Sequence, residues 1–372
     1  MPESLSPMHL LESHNPYPDC ISLQLEATLA SSSGTPSQQF DLYLTVQFNE
    51  QWKSLLDGRI KFGLKGGELK LRIEGGELSS VNSDISEEFQ VATTISKINP
   101  IWRFFPKPSE LYLKGSLQQI KLATLMPTEP SYRLAATFEV SQSDISLTDA
   151  EDLWRHDISP NKHGILERAI ALLLLENRFK PYLSWTQLSS EYTNDWQPLV
   201  EGHEAALSPD LLMRLKQLIE RIYEAQTDHF LELAKLAGLN PLTDLAGGNF
   251  LAVNLSGIEL SGANLSQANF RGANLTDIDL SEANLSYAKL SGADLSGAYL
   301  GNANLSYGDL RRASLALVNA IAADFTGADL GEANLSNANF SRATVWQARF
   351  SHNPGLVDEV RHSLKERGAI VE

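Results

Sequence analysis

The chain has 372 residues, 42% hydrophobic and 20% charged, which is length enough for about two or three globular domains. Its net charge of −16 and pI of about 5.0 argue against binding a phosphate backbone, and leave solubility or a basic partner as roles for the acidic surface. A single cysteine, Cys20, excludes an internal disulfide, and no Cys/His spacing suits zinc, so packing must hold the fold.

The opening stretch MPESLSPMHLLESHNP has neither the basic start nor the apolar run of a signal peptide or membrane span, which predicts a cytoplasmic protein that engages no membrane. Residues 20 to 140 then alternate. Ile21, Leu23, Leu25, Ala27 and Leu29 form one apolar stripe and Phe40, Leu42, Leu44, Val46 and Phe48 another, the pattern of strands with one dry face. Between Ile60 and Leu78, Gly66-Gly67 and Gly75-Gly76 read as the hairpin turns of a three-stranded meander. Further strands are predicted at Phe89 to Ile95, Leu111 to Leu113, Leu117 to Leu125 and Tyr132 to Val140, giving an antiparallel β-sandwich or barrel-like domain over residues 1–148. No GxGxxG or GxxxxGK[ST] occurs, so the glycines serve chain geometry.

Residues 149–240 switch to helical spacing. Ser159 and Pro160 predict the start of a helix reaching about residue 177. Ser208 and Pro209 predict a second helix, running to about residue 237 and about 44 Å long, that stops at Gly238. Its stripe of Leu211, Leu215, Leu218, Ile222, Ala225 and His229 must pack on the first helix and the β domain, or on a second chain as a homodimer. His156, Asp157 and His163 come nearest to a metal or acid–base group, and structural hydrogen bonding is the favoured reading there. With no HExxH, no GxSxG and no histidine motif beside Cys20, no catalytic residue, metal ligand or cofactor is expected, and the chain reads as a non-enzyme.

From Leu245 to Phe350 an apolar residue recurs at every fifth position, making 22 centres that are all Leu, Phe or Val except Ala320, usually with alanine two residues earlier. On an α-helix steps of five scatter around the cylinder, about 140° apart, and on a flat strand they alternate between faces. A chain that corners once per repeat instead points each centre and its small partner at one axis. Asn264, Asn269, Asn284, Asp294 and Asn304, each before a centre, suit such tight turns. The stretch ANLSQANFRGANL resembles the pentapeptide repeat family, whose pattern is Ala-(Asp/Asn)-Leu-X-X. That resemblance implies a right-handed quadrilateral β-helix over residues 241–350 with four repeats per coil, hence about 5.5 coils and a rod about 26 Å long. Residues twenty apart, such as Phe250 and Phe270, then stack. The resemblance also implies a cyanobacterial source.

The pattern weakens at RRASLALVNAIAADF, where Ala320 replaces a large centre, Val318 a small partner, and Leu317 and Ile321 fall on outward positions. A bulged coil is the favoured reading and an exposed apolar patch the other. In residues 351–372, Leu356, Val357, Val360 and Leu364 predict a helix capping the open last coil, with dimerisation through it as the alternative. Under the twenty-residue register Tyr287 and Tyr307 sit on adjacent coils of one corner, beside Arg271, Lys289, Arg311 and Arg312, which reads as a protein-binding patch or as plain aromatic stacking.

The functional expectation is a non-catalytic scaffold that binds a protein partner and no nucleic acid. A second reading, from the resemblance to quinolone-resistance members of the family, is a DNA-mimicking modulator of gyrase. Ten acidic against six basic residues over 241–350 are thin for a duplex mimic, which carries about one charge per 1.7 Å. A third reading puts a small-molecule site in the N-terminal domain, with the repeats as a handle.

Overall fold

The computed structural model describes residues 17–30, 39–86, 88–107, 110–155, 157–189 and 207–372, so His156 lies outside the described residues. Two compact units emerge. One comprises Met1–Trp52, Lys61–Ser141 and Leu174–Leu207, the other Lys53–Ile60, Gln142–Leu173 and Ser208–Glu372. This division differs from the expected boundary at residue 148, because the chain after the first helix returns to the first unit.

The alternating segments become β1 (Ile21–Leu29), β2 (Phe40–Phe48), β3 (Gln51–Leu55), β4 (Gly58–Leu64), β5 (Gly67–Glu74), β6 (Gly76–Ser79), β7 (Gln90–Thr94), β8 (Ile101–Phe105), β9 (Gly115–Pro127), β10 (Arg133–Glu139) and β11 (Ile145–Glu151). In the first unit, β1-β2-β9-β6 is a four-stranded antiparallel sheet. A five-stranded one follows the order β12-β10-β5-β8-β7, with β12 spanning Ser184–Ser189. The apolar stripe of β2 is buried throughout, and its Phe48 ring lies 5.3 to 5.6 Å from those of Phe89, Phe104 and Phe138. Each such side chain contributes roughly 1.5–3 kcal/mol by leaving water. Cys20 is fully buried, and that burial, with Glu50 nearby, pushes its thiol up to about 12, away from the thiolate form.

The expected meander is not formed. β4 pairs with β11 and β3, β5 with β10 and β8, and β6 with β9, so the chain changes sheet at each glycine pair. A Cβ on Gly67 would lie 2.3 Å from the Phe138 ring, and one on Gly75, at φ +71, would lie 2.3 Å from the Ser131 carbonyl oxygen. Glycine is needed there for close crossing of strands, a role that looks like a hairpin turn in sequence. Leu111 to Leu113 is not a strand either: the Leu113 amide makes one bond, to the Leu64 carbonyl at 2.7 Å.

In the second unit α1 (Pro160–Leu174) starts as predicted, with Ser159 Oγ accepting from the Lys162 amide at 3.2 Å. A π turn, Leu175–Phe179, follows it. Ser208 likewise caps α2 (Pro209–Glu224) by accepting from the Leu211 amide. The long second helix, however, is broken. α2 ends at Glu224, and α3 (Phe230–Ala237) begins after His229. Lys162 Nζ donates to the carbonyls of Tyr223 at 3.0 Å and Ala225 at 2.7 Å, and Asn161 Nδ2 donates to that of Asp228 at 2.8 Å. The start of α1 therefore holds the chain at the break. The turn there brings Phe230, Leu233 and Ala234 inward, while His229, expected on the buried stripe, is exposed.

The repeats form a β-helix. Parallel bridges join residues twenty apart, from Asn249↔Asn269 through to Asp329↔Arg349, so one coil is four repeats. Centre amides donate to the next coil, as Leu265 does to Asn284 and Leu285 to Asn304, each at 2.7 Å. Asn304 Oδ1 accepts from both the amide and the hydroxyl of Ser306, at 2.9 and 2.6 Å, which is the turn role its position predicted. Inside, Phe250 stacks on Phe270 with centroids 5.4 Å apart.

Both ends are closed. α1 rests on the first coil so closely that a Cβ on Gly164 would lie 2.9 Å from the Phe250 ring, and Phe230 packs on the same ring at 5.5 Å. At the far end α4 (Asp358–Glu366) buries Leu364, and Arg367 donates to the carbonyls of Phe340 and Ala343, both at 3.0 Å. β13 (Arg349–Phe350) then gains a parallel partner, β14 (Ile370–Val371). Val357, expected on the inner stripe, is instead 60% exposed.

Candidate interaction surface

Each repeat sends its centre and small partner inward and leaves one outward residue between two corners. Four outward columns result. One holds Asn249, Asn269, Lys289, Asp309, Asp329 and Arg349, and the column on the opposite side holds Glu259, Asp279, Tyr299, Asn319 and Asn339.

The first column borders the tyrosine corner. Tyr287 and Tyr307 stack with centroids 5.1 Å apart and planes 12° apart. The Tyr307 ring continues over the next coil, where a Cβ on Gly327 would lie 2.7 Å from it. Lys289 is not displayed: it is 8% exposed, and the neighbouring Asp309 is 2% exposed. Arg311 grips Asp309 through Nε at 2.8 Å and Nη2 at 2.9 Å, with Arg271 4.0 Å from the same carboxylate. Burial pushes the Asp309 carboxyl up, but the Arg311 side chain and backbone, with Lys289 beside, hold it below the usual carboxylate range. Arg312 is paired with Glu332 at 3.0 Å. The six predicted residues therefore gather on one side of the β-helix, with Arg311 held by Asp309 of its own coil and Arg312 by Glu332 of the next. Asp309 was missed in the sequence although it lies one coil above Lys289 and two residues before Arg311.

No bulge occurs at Leu317–Ile321. Leu317 donates to Ser336 at 2.9 Å, Ala320 to Asn339 at 3.0 Å, and the Asn319↔Asn339 bridge is regular. Val318 and Ala320 are both buried, so the pair fills the interior with the large and small positions exchanged and the backbone has no reason to bend. Leu317 is left 66% exposed and Ile321 37%, beside Tyr299 at 52%. Sequence reading missed that Tyr299 joins them, along with Glu259, Asp277, Asp279 and Glu282 on the preceding coils. Column arithmetic in steps of twenty would have found it.

Elsewhere, His163 Nδ1 accepts from Trp154 Nε1 at 3.2 Å, the structural role expected of it. Among the described residues no group of His, Cys, Asp and Glu is arranged to hold a metal, and no helix is long and apolar enough to cross a membrane. A surface concavity of the first unit is lined by Arg72, Glu74, Arg133, Leu134, Ala135 and Gln187.

A family model of pentapeptide repeats matches eight copies over residues 243–277, 278–315 and 321–352. A pentapeptide repeat protein of the Arabidopsis thaliana thylakoid lumen is 31% identical, over 32% of this chain and 81% of that one, with a TM-score of 0.21. The chain belongs to the pentapeptide repeat family. A pentapeptide repeat protein from Nostoc is 34% identical, over 29% of this chain and 84% of that one, with a TM-score of 0.18. The pentapeptide repeat protein Rfr23 of the cyanobacterium Cyanothece is 28% identical over 31% of this chain, with a TM-score of 0.22, and this chain spans 65% of its length. No curated protein matches. The similarity to these relatives spans about a third of the chain.

Proposed function

We propose that this pentapeptide repeat protein is a non-catalytic cytoplasmic scaffold whose β-helix, right-handed and quadrilateral as in the family pattern, presents a fixed surface to a protein partner. One observation carries the reading. The ladder between residues twenty apart locks outward side chains into columns whose successive members are about 4.8 Å apart along the rod. Exposed Tyr299, Tyr307, Leu317, Ile321 and Trp346 are thus held on fixed backbone before any partner arrives, which reduces the ordering cost of binding. The first unit, with its two sheets layered as a sandwich, supplies a second surface, or on a weaker reading a small-molecule site. A gyrase-directed duplex mimic is disfavoured, because ten acidic against six basic residues over 241–350 leave a net charge of only −4 on a rod about 26 Å long, whereas a duplex carries about one charge per 1.7 Å.

Affinity purification of the tagged full chain, compared with two double variants, tests this. Tyr287→Ser/Tyr307→Ser is expected to lower the Tm by a few degrees and keep the partner, since stacking within the corner is worth about 0.5–1.5 kcal/mol. Leu317→Ser/Ile321→Ser is expected to lose the partner at unchanged Tm. Equal recovery by both variants, or no partner with the unaltered chain, contradicts the proposal.

A further inference from the structure

Resting on the scaffold reading, we propose that the side of the β-helix bearing Tyr299, Leu317 and Ile321 is a docking site for a basic amphipathic helix of a partner protein.

The surface is divided along the rod. Glu259 lies on one coil and Asp277, Asp279 and Glu282 on the next. Tyr299 follows on the third, and Leu317 and Ile321 stand on the fourth, with Tyr299 bridged to Asp279 on one side and Asn319 on the other. From Glu259 to Ala322 this face and its two corners carry no lysine or arginine, and among the described residues none of the four carboxylates makes a salt bridge. Asp277, Asp279 and Glu282 therefore gather like charge on one coil without a cation on this face. A cationic partner would complement that charge, and complementarity of this kind sets both the choice of partner and its rate of arrival.

Leu317 supplies the second argument. It occupies the left-handed corner position, φ +59, where the same corner of other coils carries Gly257, Asp277, Gly297 and Asn337. Leucine there costs about 1–2 kcal/mol of backbone strain, and at 66% exposure it regains little by burial within this chain. A partner that covers it, Ile321 and Tyr299 supplies the missing burial.

The spacing selects the occupant. The acidic row and the apolar row are two coils, about 10 Å, apart. An α-helix advances that far in about seven residues. A helix laid along the rod with leucines on one heptad and lysines or arginines on the next meets both rows.

The probe is a fluorescein-labelled 16-residue helical peptide of that design, titrated by anisotropy against the full chain at 0.15 M salt. Leu317→Asn/Ile321→Asn is expected to weaken binding at least tenfold. Asp277→Asn/Asp279→Asn/Glu282→Gln is expected to do the same and to flatten the salt dependence, and Tyr287→Ser/Tyr307→Ser to leave affinity unchanged, with thermal unfolding verifying that each variant folds. Absent binding, affinity insensitive to the first two variants, or equal binding by the peptide with its lysines changed to glutamine overturns the proposal. So does a dimer in sedimentation that Leu317→Asn/Ile321→Asn dissolves, which would make a second copy the occupant. If the probe fails while affinity purification recovers a partner that Leu317→Ser/Ile321→Ser loses, the basic helix falls as the occupant and the scaffold reading stands.

Discussion

Phe250→Ala is expected to destabilise the second unit by about 3–5 kcal/mol, the range for emptying a fully buried aromatic position. Phe250 has no exposed surface, its ring is sandwiched between Phe230 and Phe270, and the backbone of α1 at Gly164 lies against it. Removing the ring leaves a cavity where α1, α3 and the first coil meet, and α1 is too well anchored through Asn161 and Arg168 to collapse into it. In denaturant unfolding followed by amide exchange, protection is expected to fall first in α1, α3 and residues 245–265. A uniform loss across all coils, or a cost below about 1 kcal/mol, would show that the end cap does not hold the β-helix.

Asp309→Asn is expected to cost about 1–3 kcal/mol at neutral pH, because it keeps the shape but removes the carboxylate beside the buried Lys289 that neutralises Arg311, whose 45% exposure screens part of the pair. The pH dependence gives the sign. The folded carboxyl is held below its ordinary value, so its contribution is fully present above the unfolded pKa of about 4 and is lost as pH falls through the folded value. The stability gap between the two proteins should therefore be constant above about pH 5 and close in acid. A gap that does not narrow at all as pH falls below about 4 would mean that the asparagine disturbs packing and that charge is not the cause.

The five-residue period was legible because every coil repeats the same demands: a bulky centre, a small inward partner and a turn former such as Asn304. Helix starts at Ser159 and Ser208 were legible for the same local reason, the hydroxyl cap ahead of a proline. Partner choice was not. Gly67 and Gly75 look alike whether they turn a hairpin or let a neighbouring strand pass, and only the positions of Phe138 and Ser131 decide. The stripe from Leu211 to His229 gives no hint of its break, which is held by Lys162 and Asn161 more than sixty residues away. The tyrosine corner was placed well, yet the fates of its cations depended on residues one coil away. At Leu317 and Ile321 the sequence offered both a bulge and a patch, and the exchange of large and small between Val318 and Ala320 favoured the patch.

Disulfide trapping tests the register most directly. In a Cys20→Ala background, Asn274→Cys/Asp294→Cys places two thiols on bridged positions of adjacent coils, about 5 Å apart between Cα atoms and within disulfide reach, whereas Asn274→Cys/Tyr299→Cys puts them on different sides of the rod. The twenty-residue coil predicts rapid, complete oxidation of the first pair with the fold retained, and none of the second. Oxidation of the second pair in preference to the first would contradict the coil, and with it every surface column that depends on it.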